Sequence, residues 1–319
     1  MDKIPKFEEI FSFPSLLKSW QEFKRRKSDK TDVADFAFNL ISNLSLLRSD
    51  IINGNYKHGG YSHFRINDPK PRDIHKASVR DRIVHHALYR ALYPYFDRQF
   101  IYSSYACRED KGQHSAVKQF AFMIRDESDS GRRAVWILKC DIKKFFASID
   151  HKILRNILIG HIKCPRTMDI VDEVLESFKR GLPLGNLTSQ LFGNVYMNEL
   201  DKYVQHVLKV RSYIRYADDF VILSRNKAWL EELLPPIGDF LKEQLALELH
   251  ADKILIKTIS SGVDFLGWVN FHNYRVLRAK TKRRLIKAIK NNPSLATKNS
   301  YLGLLKHGNS HKLRTMLEF

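Results

Sequence analysis

Ser212-Tyr213-Ile214-Arg215-Tyr216-Ala217-Asp218-Asp219-Phe220-Val221-Ile222-Leu223-Ser224 consists of two short runs of β-branched and aromatic residues broken by Ala-Asp-Asp. Such runs predict the arms of a β-hairpin with both carboxylates at its turn. An Asp-rich turn is ordinary by itself, because Asp satisfies its own backbone there. The arms say more. Val221, Ile222 and Leu223 form a continuous apolar run, as in a strand buried on both faces. The hairpin should therefore sit in a core and lift its charges to one edge of a sheet. Adjacent carboxylates repel, and they are tolerated best where a cation lies between them and a third ligand.

A third carboxylate lies upstream. Val135-Trp136-Ile137-Leu138-Lys139-Cys140-Asp141 reads as an apolar strand ending in Asp, followed by Ile142-Lys143-Lys144-Phe145-Phe146. If the two strands are neighbours, Asp141, Asp218 and Asp219 converge on one spot. Oxygen-only ligands of this kind suit Mg²⁺, which shares its shell with waters and substrate phosphates.

Composition sets the outer bounds. The chain has 319 residues, 44% of them apolar, enough for a core in one multi-lobed domain or two. A formal net charge of +19 asks for a polyanionic partner. Nucleic acid fits better than a membrane, since no stretch approaches the ~18 apolar residues of a spanning helix. The start, Met1-Asp2-Lys3-Ile4-Pro5-Lys6, lacks the apolar core of a secretory signal, so a cytoplasmic protein is expected. Cys107, Cys140 and Cys164 have no ligand spacing and read as buried thiols of a reducing compartment. From Arg275 to Phe319 there are twelve Lys and Arg against Glu318 alone, which marks this tail as the expected grip on a nucleic-acid backbone.

Along the rest of the chain, Phe36, Phe38, Leu40 and Leu44 predict a helix that packs on something. The run Lys24-Arg25-Arg26-Lys27 is either a solvated helix face or an RNA contact. Pro69-Lys70-Pro71-Arg72 reads as a break after a short strand Tyr61–Ile66. Val79 opens a helix with positions 83, 84, 87, 88 and 92 on one face, expected to end at Pro94. Residues 151–180 read as helical, and Gly181–Gln190 reads as a loop leading into a helix Leu191–Val207. Pro235-Pro236 starts another helix, and His250–Ile256 is turn plus strand. In the tail, Leu285, Ile286 and Ile289 share a helix face, Pro293 should end that helix, and Tyr301–Asn309 should begin another. Strand, helix, hairpin, helix and strand in this order give an antiparallel sheet backed by helices.

Tyr216-Ala217-Asp218-Asp219 after a strand, with Leu138-Lys139-Cys140-Asp141-Ile142-Lys143-Lys144-Phe145-Phe146 upstream, resembles the catalytic palm of a reverse transcriptase, and further motifs follow in that family's order from about residue 50 onward. The resemblance implies an α+β, right-hand polymerase: an N-terminal helical extension (1–50), fingers (51–134), an antiparallel-sheet palm (135–270, with a fingers-like helical insert at about 160–180) and a short, basic, helical thumb (271–319). It implies two Mg²⁺ ions, with Mn²⁺ able to substitute, held by Asp141 and Asp218 with Asp219 auxiliary. Lys144, Phe145 and Phe146 would border the substrate, Phe146 as the steric gate against a ribose 2′-hydroxyl. Geometry adds that the two rings cannot point the same way, so one should enter the core.

Arg72 and Arg80 match positions that hold the incoming triphosphate, although a salt bridge on the helix surface also accounts for Arg80. Lys253 matches the lysine near the leaving pyrophosphate, or is a strand-end lysine in water. Phe265-Leu266-Gly267-Trp268 resembles the primer-grip turn. Arg283, Arg284, Lys287 and Lys290 would bind RNA. Where most relatives have Gln-Gly-x-x-x-Ser-Pro beside the incoming nucleotide, this chain has Leu184-Gly185-Asn186-Leu187-Thr188-Ser189-Gln190. That departure resembles the reverse transcriptases of diversity-generating retroelements. It implies cDNA synthesis from a template-repeat RNA, errors at template adenines, and mutagenic retrohoming with a small basic accessory protein. Template RNA, the RNA/DNA hybrid and dNTPs would be the ligands, with no membrane partner and no endonuclease domain. The alternatives are a retron, intron or phage-defence enzyme and, from another class, a non-catalytic RNA-binding scaffold with a polymerase fold. Leu184 is otherwise a loop packing residue.

Overall fold

The computed structural model describes residues 3–67, 71–291 and 294–318. Pro69, Lys70 and Pro293 lie outside them. The chain divides into two compact units, one of Met1–Ile101, Ile142–Tyr203 and Asp239–Glu248, the other of Tyr102–Asp141, Val204–Gly238 and Leu249–Phe319.

The first unit is built on the helix Val79–Asp97, whose Ile83, Val84, Ala87, Leu88 and Leu92 are all buried. Ser78 caps it, its Oγ accepting from Asp81 N. The helix passes through Pro94 instead of ending there. Burial of Tyr93 and Phe96 on the core face offsets the one backbone hydrogen bond that the proline removes. The helices Phe13–Phe23 and Leu187–Lys202 lie against it. The second of these starts one turn earlier than its sequence predicts, because Thr188 and Ser189 are buried in its first turn instead of lying in a loop. Its continuation Tyr203–Val207 is a π-turn. Strands β1 (Tyr61–Ile66) and β2 (Arg72–Ala77) form an antiparallel pair. The helix expected through Phe36, Phe38, Leu40 and Leu44 is broken at Asn39. Phe36 meets the Trp20 ring while Phe38 turns out to solvent, 88% exposed.

The second unit holds two antiparallel sheets. β3 (Trp136–Asp141), β4 (Tyr213–Tyr216), β5 (Asp219–Ser224) and β6 (Leu255–Thr258) are ordered β4-β5-β3-β6. β7 (Val263–Phe265), β8 (Trp268–Asn270) and β9 (Arg275–Leu277) make a three-stranded meander. Val221, Ile222 and Leu223 are buried, as a run without alternation requires. Ile137, Val221 and Leu223 share a core with Phe120, Met123 and Ile124 of the helix Gln113–Glu127.

A second cluster joins Trp268, Leu277, Leu285 and Leu305, so the basic tail is folded onto the meander. Gly308 lies so close to the Trp268 ring that a Cβ there would fall 2.1 Å from Cζ3. The helix expected to begin at Tyr301 runs Leu295–Leu305, capped by Ser294. Of the three cysteines expected in the core only Cys140 is buried; Cys107 is exposed on a left-handed turn residue, and Cys164 is half-buried at the start of the helix Pro165–Glu176.

Candidate active site

Strand register brings the carboxylates together. Asp141 is the last residue of β3 and lies directly opposite Asp219, the first of β5. Tyr216 pairs with Asp219, which leaves Ala217 and Asp218 as a two-residue hairpin loop. Ala217 takes a left-handed φ of 56°, a conformation that a tight hairpin needs and that costs a non-glycine residue about 1 kcal/mol. Three acidic residues thus share one sheet edge.

Two lysines counter them. Lys253 Nζ donates to Asp141 Oδ1 at 2.6 Å, and Lys139 Nζ lies 3.1 Å from Asp219 Oδ2 while donating to Asp264 O at 2.8 Å. With its side chains drawn toward these ammonium groups, the edge does not gather three ligating side chains around one point among the described residues. Burial raises the Asp219 carboxyl to about 6; the Lys139 charge and hydrogen bond oppose the shift, and Asp141 and Asp218 add to it. Asp219 Oδ1 is buried without a hydrogen-bond partner. An oxygen-only donor set with an orphaned buried carboxylate oxygen fits a hard divalent cation.

A reverse transcriptase (RNA-dependent DNA polymerase) family profile matches residues 66–270, well over half of the chain and all of this edge. The chain belongs to the reverse transcriptase family. It is 23% identical over 300 residues to Protein YkfC of Escherichia coli (strain K12), covering 80% of this chain and 77% of that protein. It is 24% identical over 293 residues to the Group II intron-encoded protein LtrA of Lactococcus lactis subsp. cremoris, covering 68% of this chain and 47% of LtrA. A putative COX1/OXI3 intron 2 protein of Saccharomyces cerevisiae is 23% identical, with 34% of its length covered. The chain therefore spans half or less of the intron-encoded relatives. Among solved structures, telomerase from Candida albicans with a fragment of telomeric RNA superposes with a TM-score of 0.51 at 11% identity, over 70% of this chain and 46% of that one. That likeness is one of fold, and the chain has the α+β fold of the right-hand polymerases.

In the first unit of this reverse transcriptase a second group of expected substrate residues comes together. Phe145 is buried, Phe146 is half-buried, and their rings meet edge-on at 5.0 Å beside Gly193, where a Cβ would fall within 3.4 Å of both rings. Leu182 N donates to Phe146 O at 2.7 Å, and Gly181, at φ +70°, would place a Cβ 2.3 Å from the same oxygen. Further along, Leu184 O accepts from His75 N of β2 at 2.9 Å, and Gly185, at φ +121°, touches Ile74. The segment carrying Leu184 is thus strapped at one end to Phe146 and at the other to β2. Thr188, in the first turn of the helix beyond it, is held by His85 Nδ1 at 2.6 Å.

Other expected residues stand apart. Arg80 is engaged with Asp50 at 2.7 Å, with Lys57 O at 3.1 Å and over the Tyr56 ring. Arg72 is exposed at the start of β2, Gln190 is exposed on its helix, and Lys144 is exposed at a left-handed position. Leu266 and Gly267 form the β7–β8 turn, with Gln113 donating to Leu266 O, whereas the Phe265 side chain belongs to the core. Arg283, Lys287 and Lys290 are exposed on the helix Ala279–Asn291, and Arg284 is half-buried on it.

Two residues that the sequence reading passed over matter here. Arg215 is fully buried; its Nη1 donates to Ala217 O at 3.0 Å and its Nη2 to Ser104 Oγ at 3.0 Å, bracing the turn that carries Asp218. Lys139 holds Asp219. Their signal was available: each is a lone cation inside a strand whose neighbours are apolar.

Proposed function

We propose that this reverse transcriptase is an RNA-directed DNA polymerase whose reacting groups gather at the Asp141–Asp218–Asp219 edge. The observation that carries the reading is the register of β3 against β5, which sets Asp141 opposite Asp219 beside the braced Asp218 turn. Asp141, Asp218 and Asp219 would hold two Mg²⁺ ions, which when bound supply charge neutralisation at the attacking hydroxyl and the triphosphate. Arg215 and Lys139 fix the carboxylates. The Lys253 ammonium, already at the edge, supplies a proton or a hydrogen bond to leaving pyrophosphate. Phe146 gates the ribose, with its rotation limited by Phe145 and the close approach of Gly193. In this reading residues 51–134 are fingers, 135–270 palm and 271–319 thumb. Primer extension on an RNA template tests it: Asp218→Asn should abolish DNA synthesis while leaving the protein folded, and undiminished synthesis would reject it.

The finer reading is an enzyme of the diversity-generating retroelement type, copying a template-repeat RNA with errors at adenines and working with a small basic accessory protein. Its support is the segment Leu184–Gln190, which has Leu184 where most relatives have Gln and Gln190 where they have Pro. A second reading, an intron-encoded enzyme, is favoured by the similarity to LtrA. Yield on the cognate RNA separates them: the retroelement type should gain activity when its accessory protein is added, and equal yield with and without it would favour the intron type.

A further inference from the structure

The second unit carries a cavity of about 610 Å³ that the carboxylate edge does not use, within the ~300–1,000 Å³ range of small-ligand sites. Three elements line it: the helix Gln113–Glu127, the β8–β9 turn at Asn270–Arg275, and Lys306–Asn309. Within its own unit it lies toward the end of β3 away from Asp141. β8 runs from Trp268, beside the Leu266-Gly267 turn, to Asn270 at the cavity, so the two lie at opposite ends of the strand. His272 Nε2 is 3.0 Å from Ser260 Oγ, just past Thr258, and Thr258 pairs with Trp136 at the end of β3 opposite Asp141.

Its chemistry is one-sided. The lining includes Lys118, Arg125, Arg275 and Lys306 and no carboxylate. Arg275 is used structurally, donating to His307 O. Lys118, Arg125 and Lys306 are exposed and, among the described residues, paired with no acidic side chain. Lys118, Phe122 and Arg125 stand on one face of their helix, and Phe122 is 63% exposed between the two charges. Across the cavity Tyr274, 50% exposed, is stacked on Phe271 at 4.7 Å.

Burial of such rings would be expected of a packing surface, yet both are left toward solvent among cations. At the floor, Asn270 Nδ2 donates to two carbonyl oxygens, which fixes the orientation of the amide, and its Oδ1 is left buried without a partner, as is His272 Nδ1. Exposed π-faces flanked by unpaired cations, over a floor with unmet hydrogen-bonding capacity, match a base to be stacked, phosphates to be neutralised and a sugar or base edge to be read.

We propose that this cavity binds single-stranded RNA as a second, non-catalytic nucleic-acid site, with Phe122 and Tyr274 as stacking platforms and Lys118, Arg125 and Lys306 on the phosphates. The choice of RNA over DNA rests on the proposed RNA-directed activity; the cavity itself does not.

The test uses the full chain carrying Asp218→Asn, so that binding is read without synthesis and a failure of the polymerase reading stays separate. Binding of a fluorescent single-stranded RNA oligonucleotide is followed by anisotropy across a salt series. Phe122→Ala should weaken binding about tenfold without changing the salt slope. Lys118→Gln with Lys306→Gln should flatten the slope by about one to two charges. Phe122, Lys118 and Lys306 are all exposed, and an unchanged thermal midpoint verifies that each variant is folded. Affinity and slope unmoved in both variants would overturn the proposal. So would a DNA oligonucleotide of the same sequence binding equally well, which would reassign the site to a displaced DNA strand. Displacement of the RNA by an acidic peptide at comparable concentration would reduce it to a general polyanion surface and also overturn it.

Discussion

The carboxylate edge and the Gly181–Ser189 segment both carry residues expected at the substrate, but they are held by different physics. At the edge, position follows from the alternation and register of two strands: once β3 pairs with β5, Asp141 must face Asp219. In the segment, no repeating backbone pattern fixes anything. Leu184 is placed by a carbonyl shared with β2, by a glycine pressed on Phe146 O, and by Thr188 bound to a buried histidine. The first arrangement depends on its charges and the cations that brace them; the second, which carries no charged side chain, depends on its shape.

The largest expected effect breaks the edge chemically. Asp141→Asn should cost roughly a thousandfold or more in primer-extension rate while moving the thermal midpoint little. A variant with near-normal rate would remove the edge from the mechanism. Next comes shape. Gly181→Ala adds a Cβ 2.3 Å from Phe146 O at a left-handed φ, so it should lower unfolding free energy by about 3 kcal/mol in urea melts. A midpoint equal to the wild type would mean that the strap is not what holds the segment.

The third test concerns the charge at Asp219. Its folded carboxyl titrates at about 6 in place of 3.8, so the ionised form is disfavoured in the folded protein. That cost is fully present above the folded value and disappears as pH falls toward the unfolded one. Asp219→Asn should therefore stabilise the protein at pH 8 without divalent cations by on the order of 2–3 kcal/mol, with the gain fading between about pH 6 and pH 4. A gain that persists at pH 4 would point to packing and not to charge. The smallest effect is on fidelity. If Leu184 trades hydrogen bonding for bulk, Leu184→Gln should lower errors at template adenines by about tenfold. Sequencing cDNA from a base-balanced template reads this, and identical spectra would leave Leu184 a packing residue.

Legibility followed the same division. β3 and the hairpin could be read from apolar runs around Asp141 and Asp218-Asp219, because strand period and turn chemistry are local properties, whereas their pairing, a condition in the sequence reading, is shown by the register of β3 against β5. The helix beginning at Leu187 could not, since Thr188 and Ser189 look like loop residues until His85 and the core enclose them. Pro94 misled for a related reason: a local breaker was outweighed by buried aromatics on either side of it. For Arg80 the sequence leaves a triphosphate contact and a helix-surface salt bridge both open, and its partner Asp50 is a tertiary pairing with no local signature.

The second unit is assembled from stretches far apart in the chain, and this sets an order of events during translation. β3 leaves the ribosome with both of its edges unpaired, and it must wait for Ser224 and then Thr258 before either is covered. Even then Trp268 stays open until Leu285, Leu305 and Gly308 have been made and closed over it. The nascent chain therefore passes about a third of its synthesis with at least one edge of β3 exposed, a state prone to aggregation. A frameshift or stop ahead of Leu305 should yield insoluble chains, although every acidic residue of the edge would already have been translated.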